Sequence, residues 1–277
     1  MRIVDTHLHL VYPDRFSYPW MRGVPEIDKP WSVEAYWAEA RGLGIVSALH
    51  MEVDVAPDEM EAETAFVLGL PGIAGAIASA RPESPDFPLM LERYAALGGV
   101  RGIRRLLQGE PDDLSRSPLF RENLARLPGH GMSFDICVKG HQLPVARDLV
   151  RALPQVSFIL DHCGNPRVGE GEIEPWRSAI AEIAREPNLT CKISGILANT
   201  HERWTVADLR PYVEHCIESF GWNRVVWGSD HPVVCLSANL TRWVQACLEI
   251  TAGESDANRE ALFSRNATRF YNLAPTG

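Results

Sequence analysis

Short apolar runs rich in β-branched residues recur along the chain, and each is followed by a longer stretch whose apolar positions return every three or four residues. The runs are RIVDTHLHL (2–10), IVSALHMEV (45–53), GIAGAIASA (72–80) and VRGIRRLL (100–107). They continue as MSFDICV (132–138), VSFILDH (156–162), LTCKISG (189–195) and RVVWGSD (224–230). Between them lie amphipathic segments such as SVEAYWAEARGLG, PVARDLVRALP and DLRPYVEHCIESFG, which begin after Ser, Pro or Asp or end in Gly, as helix boundaries do. Strands alternating with helices at this spacing predict βαβ units and a parallel sheet. Eight units in a chain of 277 residues predict a (β/α)8 TIM barrel, an α/β fold in a single domain over 1–277. A doubly wound sheet is the alternative, weakened because no Gly-rich loop follows the first strand.

The segment VYPDRFSYPWMRGVPEIDKPW (11–31) breaks this rhythm. Its prolines forbid a long helix, and its aromatic content exceeds what a solvated loop needs. It reads as a long loop after strand 1 folded over the barrel mouth.

Composition narrows the function. Hydrophobic residues make up 45% and charged residues 23%, with a net charge of −9 and no basic run, so no nucleic-acid partner is expected. No stretch approaches the roughly 20 apolar residues of a membrane span. The first ten residues hold two histidines and an aspartate where a signal peptide needs an unbroken apolar segment, so no membrane and a cytoplasmic location are expected. The six cysteines form no CxxC pair and read as reduced, mostly buried thiols. Cys163, beside His162, reads either as a nucleophile or as a small buried hydrophobe.

In such a barrel the chemistry gathers at the C-terminal ends of the strands. There the chain places His7 and His9, His50 and Glu52, Arg101, Arg104 and Arg105, then Lys139, His141 and Gln142. Asp161 and His162, Lys192 and Ser194, and Ser229, Asp230 and His231 complete the set. Side chains alternate along a strand, so His7 and His9 project to one face, inward in a barrel, with Asp5 one layer deeper. Arg104 and Arg105 must then point oppositely, and Arg104 is taken as the inward one. With His162 and Asp230, the two histidines form either a divalent metal site or an acid–base site.

The motifs VDTHLHL, GVRGIR, MSFDICVKGHQLP, FILDHCGNPRV, KISG, VVWGSDHPV and NATRFYNL occur in an order that resembles the amidohydrolase superfamily over essentially the full length. Within it, the chain is similar to the sugar-lactonase branch typified by L-fuconolactonase and L-rhamnono-lactonase. The resemblance implies a (β/α)8 barrel and hydrolysis of a sugar-acid lactone, a small-molecule partner. It implies a central cluster of His7, His9, His162 and Asp230, with Arg104 contacting substrate. No lysine stands out as a carbamylated bridge, so the expectation is one divalent metal, zinc or manganese, or none.

Lactone hydrolysis needs an activated water, a polarised carbonyl and a proton for the leaving alkoxide. Asp230 is assigned as the base, and His162, with His7 and His9, as the group that polarises the carbonyl or holds the metal. Glu52 is assigned as a further metal ligand or its partner, a helix-facing salt bridge being the alternative. Lys139, His141, His201, Trp204 and Trp20 are assigned to substrate contact, with packing or exposure as the ordinary alternative for each. Three rival functions remain open at this stage: a lactone isomerase, a zinc-dependent decarboxylase and a non-catalytic sugar-acid binder.

Overall fold

The β-branched runs form strands and the amphipathic stretches form helices, alternating through eight units before two short C-terminal helices, Asp256–Glu260 and Asn266–Phe270. In the computed structural model, which describes residues 1–171, 173–201 and 203–274, the order is β1 (Ile3–Leu8), α1 (Val33–Ala40), β2 (Ile45–Met51), α2 (Met60–Leu68), β3 (Ile73–Ser79) and α3 (Phe87–Leu97). There follow β4 (Val100–Leu106), α4 (Pro118–Leu124), β5 (Ser133–Cys137), α5 (Leu143–Ala152), β6 (Phe158–Leu160) and α6 (Trp176–Ile183). The last units are β7 (Leu189–Ile193), α7 (Val206–Phe220), β8 (Val225–Trp227) and α8 (Leu240–Ile250). Each strand pairs in parallel with the next, in the order β1 to β8.

The ends of the sheet meet through a parallel bridge between Leu8 and His231, the Asp230 amide donating to the His7 carbonyl at 2.8 Å and the His9 amide donating to the His231 carbonyl at 2.8 Å. The barrel is therefore stitched shut by the two segments that carry His7, His9 and His231.

Helix α5 shows why these stretches are helical. Leu143, Ala146, Leu149 and Val150 recur at helical spacing and are buried, while Arg147, Asp148 and Arg151 lie on the outer face and form ion pairs. Helix α7 starts with a capping box in which the Thr205 and Asp208 side chains satisfy opposite backbone amides.

The barrel interior is closed at its far end by the C-terminal segment. Ala267, Tyr271 and Leu273 pack with Val4, Leu49, Met51, Ile77, Ile159 and Val226. Asp5 does not lie one layer beneath His7 on the same face. The β1–β2 register shifts between Asp5 and Leu8, and the Asp5 carboxylate accepts instead from the Tyr36 hydroxyl of α1 at 2.6 Å and from the Ser229 amide at 2.8 Å. A bulge breaks simple alternation in this way. Among the described residues no helix is long and apolar enough to cross a membrane.

Candidate active site

The strand ends bring His7, His9, Arg104, His162 and Asp230 together. His7 Nε2 lies 3.6 Å and His9 Nε2 3.5 Å from Asp230 Oδ1, and the His7 and His162 rings are 4.5 Å apart. Two of these residues hold backbone conformations that side chains rarely adopt: His162 and Asp230 each have φ of 57°. Such strain persists where surrounding contacts fix it. For Asp230 the fixing contact is its amide bond to His7; for His162 it is the Asn165 amide, which donates to the His162 carbonyl at 2.8 Å. Across β7, Gly195 leaves the space that His162 fills, since a Cβ there would stand 2.0 Å from His162 Nδ1.

The ring nitrogens of the two histidines meet different partners. His9 Nδ1 lies 3.0 Å from the Met51 carbonyl, which only accepts, so Nδ1 carries a proton and Nε2 is the nitrogen turned to Asp230. Arg104 Nη1 lies 3.4 Å from His7 Nε2, and His7 Nδ1 stands between Lys192 Nζ at 3.4 Å and Asp161 Oδ1 at 3.5 Å. Burial holds the His7 imidazole neutral, well below its ordinary range, against the pull of Asp161. Burial likewise lowers His162, whose Nδ1 is 3.0 Å from the Ser194 hydroxyl.

Beneath these residues lies a buried ionic layer. Lys192 Nζ is 2.6 Å from Asp135 Oδ2 and 2.9 Å from Asp161 Oδ1, all three side chains being fully buried. Burial alone would raise Asp161, but the Lys192 ammonium, then His7, hold it well below the usual carboxylate range. Burial lifts Asp135 to about 6, and the Tyr271 hydroxyl donates to it at 3.2 Å. Asp135 and Tyr271 were not singled out from the sequence. Inward parity on β5 marks Asp135, whereas Tyr271 lies in a C-terminal stretch that carries no strand pattern.

A cavity of about 420 Å³ opens above the cluster, lined by His9, Trp20, Asp54, Arg104, Gln108, Cys137, His162, Asn165, Asn199 and Asp230 among others. Trp20, from the short helical turn Pro19–Gly23 in the loop after β1, donates its indole N–H to the Val53 carbonyl at 2.7 Å. Arg104 faces inward, its Nε donating to Glu52 Oε1 at 2.5 Å and its Nη2 to the Glu52 carbonyl at 2.8 Å. Arg105 points away, to Glu83 and Glu110. The other Glu52 oxygen accepts from the Asp54 amide at 2.8 Å, so this carboxylate is committed to Arg104 and the loop rather than to the histidine cluster.

Four residues assigned to substrate contact stand elsewhere. Trp204 is buried, its indole N–H donating to the Ser237 carbonyl and its face covered by Arg242 at 3.7 Å. Lys139 and His201 are exposed, and His141 lines a separate cavity of about 160 Å³ with Arg167 and Trp176. These three follow their strands by several residues, where the chain has entered turns and alternation no longer predicts direction. Cys163 turns its thiol from the cavity toward Cys191 and Cys216. Cys137 does line the cavity, and burial pushes its thiol up to about 12, so it is no thiolate.

His7, His9 and Asp230 offer ligand atoms within 4.8 Å of one another. His7 Nε2 at 3.6 Å and His9 Nε2 at 3.5 Å converge on Asp230 Oδ1. This donor set of nitrogens and oxygen fits a divalent ion such as zinc.

The amidohydrolase family model matches residues 4–273. An L-fucono-1,5-lactonase of Burkholderia multivorans is 28% identical over 98% of this chain and 96% of its own length. A second, from Burkholderia ambifaria, is 30% identical over 70% of this chain and 69% of its own. The crystal structure of an amidohydrolase from Burkholderia multivorans with bound zinc superposes with a TM-score of 0.91, at 23% identity, covering 99% of this chain and 100% of that one. With a match that spans nearly every residue and carries all eight strands, the chain belongs to the amidohydrolase family.

Proposed function

We propose that the protein is a lactonase that opens a sugar-acid lactone by attack of water on the ester carbonyl. The observation that carries this reading is the Asp230 carboxylate, set in the cavity beside two imidazoles and with no lysine or arginine as ion-pair partner among the described residues. A carboxylate so placed is free to take a proton.

Asp230 Oδ1 faces the imidazoles, so the second oxygen accepts the proton from water and returns it to the ring oxygen as the C–O bond breaks. His162 is held at Nδ1 by Ser194, which leaves its other nitrogen to meet the carbonyl. His7 and His9 are fixed beneath by Asp161 and by the Met51 carbonyl. His7, His9 and Asp230 would hold a zinc or manganese ion, which when bound supplies Lewis-acid polarisation of the ester. Trp20 offers an apolar face for a sugar ring, and Gln108, Asn165 and Asn199 offer amides for its hydroxyls.

The test is proton NMR of purified protein with a panel of aldonolactones, repeated after chelation and after adding back zinc or manganese. Ring opening to the hydroxy acid supports the reading, and loss and recovery of rate with the ion identifies the histidine cluster as its site. Conversion to a second lactone would make the enzyme an isomerase, and no turnover of any member would overturn the lactonase reading.

A further inference from the structure

Hydrolysis changes the charge of what occupies the cavity. A neutral lactone and water become a hydroxy acid: the ring C–O bond breaks, a new C–O bond forms from water, one proton ends on the freed hydroxyl and the other leaves as the acid ionises. The cavity therefore receives an uncharged molecule and must release an anion.

Its lining is ill suited to hold that anion. Arg104 is the one lysine or arginine among the described residues that line it, and each of its nitrogens already has a protein partner: Nε and Nη2 on Glu52, Nη1 on His7 and, at 3.8 Å, on Asp161. Against this stand two carboxylates. Asp230 belongs to the reaction, but Asp54 does not. Asp54 follows β2 on a residue with φ of 49° and is 38% exposed. Its cationic partner, Arg81 Nη2, is a long 3.4 Å away, is shared with Ser79 and does not line the cavity. The remaining polar groups of the wall, Gln108, Asn165 and Asn199, are neutral amides.

We propose that Asp54 makes this cavity selective for charge, so that it takes lactones whose other groups are uncharged, excludes those bearing a carboxylate, and speeds release of its own anionic product. The proposal rests on the lactonase reading for its substrate, not for its electrostatics. It holds whether or not an ion sits on the histidines, because Asp54 lowers the potential by the same increment in either case.

The experiment compares wild type, Asp54→Asn and Asp54→Glu, using a neutral aldonolactone that the enzyme turns over, the matching aldonate as product inhibitor, and a lactone of the same ring size carrying a carboxylate. Asn is the side chain that best tolerates the left-handed backbone at this position, so the fold is kept. The readout is the ratio of the aldonate inhibition constant to the lactone KM. The ratio is expected to fall about five- to tenfold in Asp54→Asn and to be retained in Asp54→Glu. In wild type it should shrink as salt is added, which needs no variant. A ratio unchanged in Asp54→Asn and insensitive to salt, or wild-type turnover of the carboxylate-bearing lactone as fast as the neutral one, would overturn the proposal. If no aldonolactone is turned over, the lactonase reading fails separately. The charge selectivity is then read by calorimetry, as aldonate binding against the uncharged alditol of the same skeleton in wild type and Asp54→Asn.

Discussion

Asp161 and Asp230 are both buried aspartates just beyond strand ends of one barrel, yet their surroundings differ in kind. Asp161 is fully enclosed, with Lys192 at 2.9 Å, His7 at 3.5 Å and Arg104 at 3.8 Å. Asp230 opens on the cavity, and its ion-pair partners among the described residues are two imidazoles, with no lysine or arginine. A carboxylate surrounded by cations is a strut, whose proton is unavailable at any working pH. One that faces imidazoles and an open cavity is placed to take a proton or hold an ion. Burial alone does not separate the two; the neighbours do.

The comparison can be broken at either aspartate's support. The largest effect is expected for Asp230→Asn, which keeps shape and removes the base: a loss of about 1000-fold or more in kcat, with the thermal midpoint nearly unchanged. Retention of most of the activity would return Asp230 to a structural role. Next comes Lys192→Met, which leaves Asp135 and Asp161 buried without their cation. It should lower unfolding stability by about 3–5 kcal/mol in urea titrations. A change under 1 kcal/mol would show that the lower layer is not held by charge.

Gly195→Ala tests the upper layer through geometry. Its Cβ would fall on His162 Nδ1, at a backbone angle of +62° that suits glycine. The expected result is a loss of about 100-fold in kcat/KM with only a modest fall in thermal midpoint, since the displaced ring is at the cavity wall.

The smallest effect is graded with pH. His50 and His231 are pushed down to about 3 and about 4 by burial. The unfolded chain therefore takes up protons below pH 6.5 that the folded one refuses, and each histidine removes about 1.4 kcal/mol of stability per pH unit as pH falls from about 6.5 toward those values. Asp135, lifted to about 6, acts in the opposite sense between pH 6 and 4 and offsets part of the loss. Denaturant midpoints measured from pH 7 to 4 should show the net decline.

The alternation of β-branched runs with helical stretches made every strand of the barrel readable, because a parallel strand covered on both sides must be apolar along its length. The same rule drew His7, His9, His162 and Asp230 to one end. What alternation could not supply is direction once a strand stops. Lys139, His141 and His201 lie beyond their strands and are exposed, while Asp54, also beyond its strand, lines the cavity on a left-handed residue. Trp204 illustrates a different limit: a tryptophan in a loop segment satisfies its N–H on a backbone carbonyl and packs, and nothing in its own neighbours distinguishes that from stacking on a sugar. The bulge at Asp5 was invisible for a similar reason, since register is a property of two strands and not of one.

The closure of the barrel also bears on how the protein is made. Asp5 accepts from Ser229, the His7 carbonyl from Asp230, and Asp135 from Tyr271, contacts that span 224 and 136 residues in the first and last cases. A ribosome that has released the first seven strands has therefore delivered three histidines without the Asp230 carboxylate that stands beside them. Only when the final strand and the tail behind it emerge can the ring shut, since its closing contacts come from residues 229–231 and 271. Competence arrives with the last few dozen residues, all at once.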